Sequence, residues 1–318
     1  MKSLFTIKEG KVVACTEDEA NIRVFVVPDL DEKKEIIEKF GFDNNDLDSA
    51  LDPDEISRVE FMQDRVSIIW KKPHSIDAGS VSHFEVSTVG FFISRDALII
   101  ILSEESSLLS EKIFEKVNSI NDVILRFFLY TIRQYLNNLK KIKQLTSKIE
   151  GNLITSAENK YFLQMFDISE RLVYYINAIE GNSAVLAKLR SNSEKLNLSQ
   201  HQVYYLDDII HDNMQSGRQS TIYSSVLSGL MDARGNVINN NMNVLLRNLT
   251  MITVVFMPLN LLASMGGMSE FSMMLKDYNI SLQMGYFLFA LAMIVIGWLM
   301  WMFIKKYIGG GNGQEKYT

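Results

Sequence analysis

The sequence has little of several things that would narrow its class. It carries one cysteine, Cys15, in 318 residues, so an intramolecular disulfide framework is excluded and a reducing compartment is expected. Its four histidines are scattered without the C-x-x-C and H-x-x-x-H spacing of a zinc module. There is no G-x-x-x-x-G-K-[ST] phosphate loop, no G-x-G-x-x-G after a strand pattern and no G-x-S-x-G nucleophile elbow. That removes the sequence grounds for an ATP-driven pump or a hydrolase, and the chain is not expected to be an enzyme. Basic runs are missing apart from Lys140, Lys141 and Lys143, and the net charge is −6, so no nucleic-acid partner is expected. The N-terminus, Met-Lys-Ser-Leu-Phe-Thr-Ile-Lys-Glu-Gly, lacks the continuous apolar stretch of a secretory signal, and the first 240 residues are expected to stay cytosolic.

Two C-terminal stretches lack charged side chains altogether. From Asn248 to Ser269 there are 22 residues without one, about 33 Å as a helix and long enough to cross a bilayer. The second uncharged run, Tyr278 to Ile304, has its apolar heart at Tyr286 to Ile304, with Trp298 and Trp301 near its end and Lys305 and Lys306 just after. Aromatic anchors followed by lysines mark a cytosolic exit. Glu270 to Gly285 then forms a short external loop, with both termini cytoplasmic. From Asn248 onward there are four basic side chains against three acidic ones, leaving 28 against 35 before it, so the acidity belongs to the soluble part.

The first hundred residues mix two periodicities. Ile22 to Val27, Val66 to Lys71, Phe84 to Ile93 and Ala97 to Leu102 are rich in Val, Ile and Phe between turn residues and read as strands. Asp31 to Phe40 and Leu108 to Val117 carry apolar residues at three- and four-residue spacing and read as helices, giving an α/β domain. From Asp122 there is no proline until Pro258, and Leu125, Leu129, Ile132, Leu136 and Leu139 recur with helical period. Ser199 and Gln202 match a capping box, and nothing after it stops a helix firmly. Helix from Gln202 to Met268 would have 67 residues, about 100 Å at the standard rise. Being partly polar on every side, it needs neighbours, which argues for an oligomer. The expected division is a cytosolic α/β domain at 1–120, a helical stalk at 121–247, two transmembrane helices with a short external loop at 248–307 and a flexible tail at 308–318.

Candidate chemistry lies on that long helix. The aspartates at Asp43, Asp46, Asp48, Asp52 and Asp54 imitate a calcium loop, but Leu47 falls on a ligand position and the turn glycine is missing, so helix caps are the better reading. Asn236, Asn239, Asn240, Asn241 and Asn243 crowd before the first span, with Asn236, Asn240 and Asn243 on one face. Copies around an axis would present rings of amide oxygens suited to a hydrated cation; a solvated interfacial turn is the alternative. The same face continues through Leu246, Leu249 or Thr250, Thr253, Met257, Asn260 and Ser264. Apolar rings alternating with polar ones suit a hydrophobic gate, and plain helix packing would also accept them. Pro258 removes one backbone bond next to Asn260. On the stalk, Asp208 and Asp212 face the same way as His201 and His211, which is metal-ligand chemistry at helical spacing, with solvated charge as the alternative.

Phe256-Met257-Pro258-Leu259, followed nine residues after Pro258 by Gly267-Met268-Ser269, resembles the CorA magnesium-transporter family, in which a proline-containing first span ends in Gly-Met-Asn. The order of parts is similar along nearly the whole chain. Two departures bear on ion selectivity: Ser269 replaces the signature asparagine, and Gly266 the tyrosine before the motif. The resemblance implies a homopentamer in the inner (plasma) membrane, with the first spans lining the pore and Gly267, Met268, Ser269 and Glu270 at its outer mouth. It also implies that Asp208 helps bind regulatory cytosolic Mg²⁺ between subunits, with a partner near Asp77. Mg²⁺ would then be both cargo and regulator, and lipid and further copies of the chain the partners. The same architecture moving Zn²⁺, Co²⁺ or Ni²⁺, and a non-transporting membrane-anchored metal sensor, are the alternatives.

Overall fold

The computed structural model describes residues 1–74, 85–94, 97–104, 114–155 and 159–308. Its elements run β1 (Lys2–Lys8), β2 (Lys11–Ala14), β3 (Ile22–Val26), α1 (Leu30–Phe40), α2 (Asn44–Leu51), β4 (Arg58–Phe61), β5 (Arg65–Pro73), β6 (Val86–Ser94) and β7 (Ala97–Leu102). They continue with α3 (Ile120–Thr155), α4 (Asn159–Ser191), α5 (Gln200–Gly266), α6 (Ser269–Asp277) and α7 (Leu282–Ile308). The chain divides into two compact units, Met1–Asp232 and Ala233–Thr318.

In the first unit one seven-stranded sheet has the order β2-β1-β3-β7-β6-β5-β4. β3 and β7 pair in parallel, Ile22 opposite Leu98, and the other neighbours are antiparallel. The β1–β2 hairpin turns on Glu9 and Gly10, both at positive φ, the geometry a two-residue loop needs to match strand twist. Both faces of the sheet are covered, which is why β7 reads as an unbroken apolar run. Ile68, Trp70, Phe91 and Ile100 pack with Phe127, Phe128 and Ile132 of α3. On the other face Phe25, Ile69, Phe92 and Ile101 meet Ile36 and Phe42, with Leu47 and Ala50 of α2. Trp70 stacks on Phe128 at 4.1 Å, and its indole N–H donates to Thr131 Oγ1 at 2.9 Å.

The edge of β5 beyond β4 is closed by a side chain. Asn182 of α4 accepts from the Lys71 amide at 3.0 Å and donates to the Lys71 carbonyl at 2.8 Å, so its amide stands in for a strand. The α5 capping box is made as read: Ser199 N–H donates to Gln202 Oε1 at 2.9 Å and Gln202 N–H to Ser199 Oγ at 3.3 Å. Asp43 caps α2, accepting from the Asp46 amide. The helix expected over Leu108–Val117 falls largely outside the described residues, and Phe114–Val117 carries no α-helix; Glu115 there bridges Lys11.

In the second unit α5 passes through Pro258 without a break, and all of α6 after Ser269 falls in the stretch expected as loop. Close approach is bought with glycine: a Cβ at Gly297 would meet Leu259 at 3.2 Å, and one at Gly285 would meet Leu275 at 2.5 Å. Phe271 of α6 packs on Tyr286 and Phe289 of α7. Two helices are long and apolar enough to span a bilayer, and none of the apolar window of Leu282–Phe303 is buried by the chain itself.

Candidate ion-conduction site

Helix α5 presents two stripes in the second unit. Met251, Val255, Pro258, Leu259 and Leu262 are partly covered and Gly266 is buried, and this is the side that meets α7 through Leu259–Gly297 and Gly266–Phe289. Asn243, Leu246, Leu249, Thr250, Thr253, Met257, Asn260 and Ser264 are all exposed. At 3.6 residues per turn the second stripe lies about 180° round the helix from the first. The polar–apolar face found in the sequence is therefore turned away from the chain's own second span.

Hydrogen bonding turns the three hydroxyls of that face into acceptors. Thr250 Oγ1 donates to Leu246 O at 2.9 Å, Thr253 Oγ1 to Leu249 O at 3.0 Å and Ser264 Oγ to Asn260 O at 2.9 Å. With the hydroxyl hydrogens spent on the backbone, lone pairs face outward as acceptors. Acceptors suit the outward-pointing hydrogens of a cation's water shell. Leu246, Leu249 and Met257 interrupt them with apolar side chains.

At the end of α5, Gly267 N–H donates to Ala263 O and Met268 N–H to Met265 O. Met268 is extended and starts α6. Ser269 and Glu270 occupy its first turn, where a carboxylate is favoured by the helix dipole, and Ser269 Oγ donates to Glu270 Oε2 at 3.3 Å. The Phe289 ring would lie 2.6 Å from a Cβ at position 266, so glycine there leaves room for α7. Sequence reading missed α6 and the Ser269–Glu270 bond; the i,i+4 spacing of Phe271 and Leu275 was the available signal.

Asp208 belongs to the first unit. It and His201 and His211 are exposed, Asp212 is half-buried, and Leu206, Ile209 and Asn213 form the covered side of the same turns. Asp207 is engaged by Arg190, Nε to Oδ1 at 2.6 Å, whereas Asp208 has no ion pair among the described residues. No group of three or more His, Cys, Asp or Glu stands close enough to hold a metal among the described residues. A cation at Asp208 would need ligands from beyond them. Asp77 lies outside the described residues.

The model of the CorA-like Mg²⁺ transporter family matches residues 23–306. The chain belongs to the CorA family. It is 25% identical over 268 residues to the cobalt/magnesium transport protein CorA of Methanocaldococcus jannaschii, covering 78% of this chain and 82% of that one. The complete structure of the CorA magnesium transporter from that organism superposes with a TM-score of 0.74 at 21% identity, covering 96% of each chain. The full-length CmaX protein superposes with a TM-score of 0.67 at 11% identity over 84% of this chain and 86% of that one. CorA membership makes the chain a divalent-cation transporter and not an enzyme, and its two apolar C-terminal helices place it in a membrane.

Proposed function

We propose that the chain forms a homopentameric gated pore for Mg²⁺ uptake, with five copies of the exposed α5 stripe lining the path. The observation that carries this reading is the acceptor-rich face of α5, set opposite the α7-facing stripe and ending at Gly267-Met268-Ser269-Glu270. Mg²⁺ gives up water reluctantly, which suits rings that bind the hydrated ion. A divalent ion falling through 100 mV gains about 4.6 kcal/mol, so an inside-negative potential drives entry without ATP. The pore sits in the inner (plasma) membrane with both termini cytoplasmic. Regulatory Mg²⁺ binds Asp208 across a subunit boundary, with Asp77 as the partner, because facing carboxylates repel unless a cation lies between them.

A second reading keeps the architecture and carries Co²⁺, Zn²⁺ or Ni²⁺. Ser269 in the asparagine position favours it, since five hydroxyls form a wider and less polar ring than five amides. Uptake of Mg²⁺, Co²⁺ and Zn²⁺ into proteoliposomes separates the two. Mg²⁺ flux equal to or above the others supports the first, and Co²⁺ or Zn²⁺ flux without Mg²⁺ flux supports the second.

A further inference from the structure

Helix α5 is held to α3 and α4 by two apolar cores with a polar stretch between them. At one end Leu206 and Ile209 are buried with Val185, Leu186 and Leu189. At the other Leu227 is buried with Ile168, Leu172 and Tyr175. Between Ile209 and Leu227 the buried residues of α5, among those described, are Asn213, Ser216 and Ser220. Part of this stretch is satisfied: Asn213 Nδ2 donates to Ile179 O at 3.1 Å and to Ser183 Oγ at 2.7 Å, and Ser220 Oγ donates to Ser216 O at 3.0 Å.

Three buried polar atoms have no partner there: Tyr135 Oη, Asn213 Oδ1 and Ser216 Oγ. Their residues are 0%, 1% and 0% exposed. Asn213 and Tyr135 are met by adjacent turns of α4. Asn213 reaches Ile179, and a Cβ on Gly217 would touch the same Ile179 at 3.4 Å. One turn along α4 is Tyr175, whose ring meets Tyr135 edge-on at 5.0 Å. Asn213 and Ser216, three residues apart, share a helix face with Cβ atoms about 5–6 Å apart, a gap that one water spans.

We propose that this polar stretch binds one buried water, which accepts the Tyr135 hydroxyl hydrogen and donates to Asn213 Oδ1 and Ser216 Oγ. Three hydrogen bonds is the usual complement of a buried water. All three groups are neutral, which fits water and not a metal ion. The stretch is then a hydrated joint in α5, one to two turns past Asp208. Parting it exchanges hydrogen bonds with water, whereas parting the flanking cores exposes interdigitated leucine and isoleucine.

Thermal unfolding of the full chain in detergent tests the site through Tyr135→Phe, Ser216→Ala and the double variant. Each single change strips the shared water of a partner, and each is expected to lower Tm by about 2–4 °C. The double variant is expected to lose no more than the larger single loss. Gains in Tm would mean that each hydroxyl was simply unpartnered, and additive losses would mean that no molecule is shared; either overturns the proposal. Amide exchange provides the second reading, independent of transport. Exchange at residues 213–220 is expected to be faster than around Leu206 and Leu227, and uniform protection along α5 would rule out the joint.

Discussion

Gln202 ties the start of α5 to the start of α3, and its removal should be costly for a single polar residue. Its Oε1 accepts from Ser199 N–H at 2.9 Å, closing the capping box. Its Nε2 donates to Ser119 Oγ at 2.9 Å and to Asp122 Oδ1 at 2.7 Å. Ser119 and Asp122 are themselves the α3 cap, with Asp122 Oδ2 accepting from the amides of Asn118 and Ser119 at 2.8 and 3.1 Å. Gln202→Ala therefore removes half of one cap and the link between two. A cap is worth about 1 kcal/mol, and a hydrogen bond to a charged group about 1.5–3 kcal/mol. The sum is about 2–4 kcal/mol, which for a unit of this size lowers Tm by about 4–16 °C. Circular dichroism melting of the purified protein measures it. Gln202→Glu should restore the cap acceptor but place a carboxylate against Asp122, so it should recover less than half of the loss. A Gln202→Ala melt within 1–2 °C of wild type would refute the view that this side chain links the two helix starts.

Three further outcomes follow from the same reasoning. Glu270→Gln should reduce divalent uptake several-fold and more than Ser269→Ala does, with the gap widening at low ionic strength where screening is weakest; equal flux for Glu270→Gln and wild type at low salt would remove Glu270 from the mouth. Asp208→Ala should relieve inhibition by internal Mg²⁺ several-fold, measured as flux against internal Mg²⁺ concentration, and an unchanged inhibition curve would count against the regulatory site. Burial, and then the charge of Asp43, hold the Asp46 carboxyl above its ordinary value of 3.8, so folding favours its protonated form. Asp46→Asn should match wild type in stability below that ordinary value and exceed it by about 1–3 °C in Tm above the raised folded one; a gain that persisted unchanged into acid would not come from this carboxyl.

The long elements were legible because one signal runs through many residues. A helix of 67 residues from Gln202 became a helix of 67 residues from Gln200, since the Ser199–Gln202 box fixes its start, Pro258 does not break it and no paired glycine comes before Gly266 and Gly267. Ala97–Leu102 was bounded correctly because both faces of β7 are buried and every residue after Ala97 had to be apolar. The strands that were missed are those at or near the sheet edges: β2 buries none of its residues, β1 buries Thr6 and β4 buries Val59. Their side chains are set by solvent as much as by the core, so alternation fades. α2 was missed while its cap was read, because Asp43 signals a start but eight residues are too few to display a period. The α5 stripe was visible as spacing. What spacing does not contain is direction: that the stripe faces away from α7, and that Thr250, Thr253 and Ser264 have already spent their hydroxyl hydrogens, came from the fold.

Voltage tests the passive path for divalent cations most directly. Purified protein in liposomes free of ATP, with a potassium diffusion potential of either sign imposed, should take up Mg²⁺ at a rate that rises several-fold when the interior is made negative and falls when it is made positive. Uptake absent at every potential for Mg²⁺, Co²⁺ and Zn²⁺ alike, from protein shown to be folded and membrane-inserted, would contradict it.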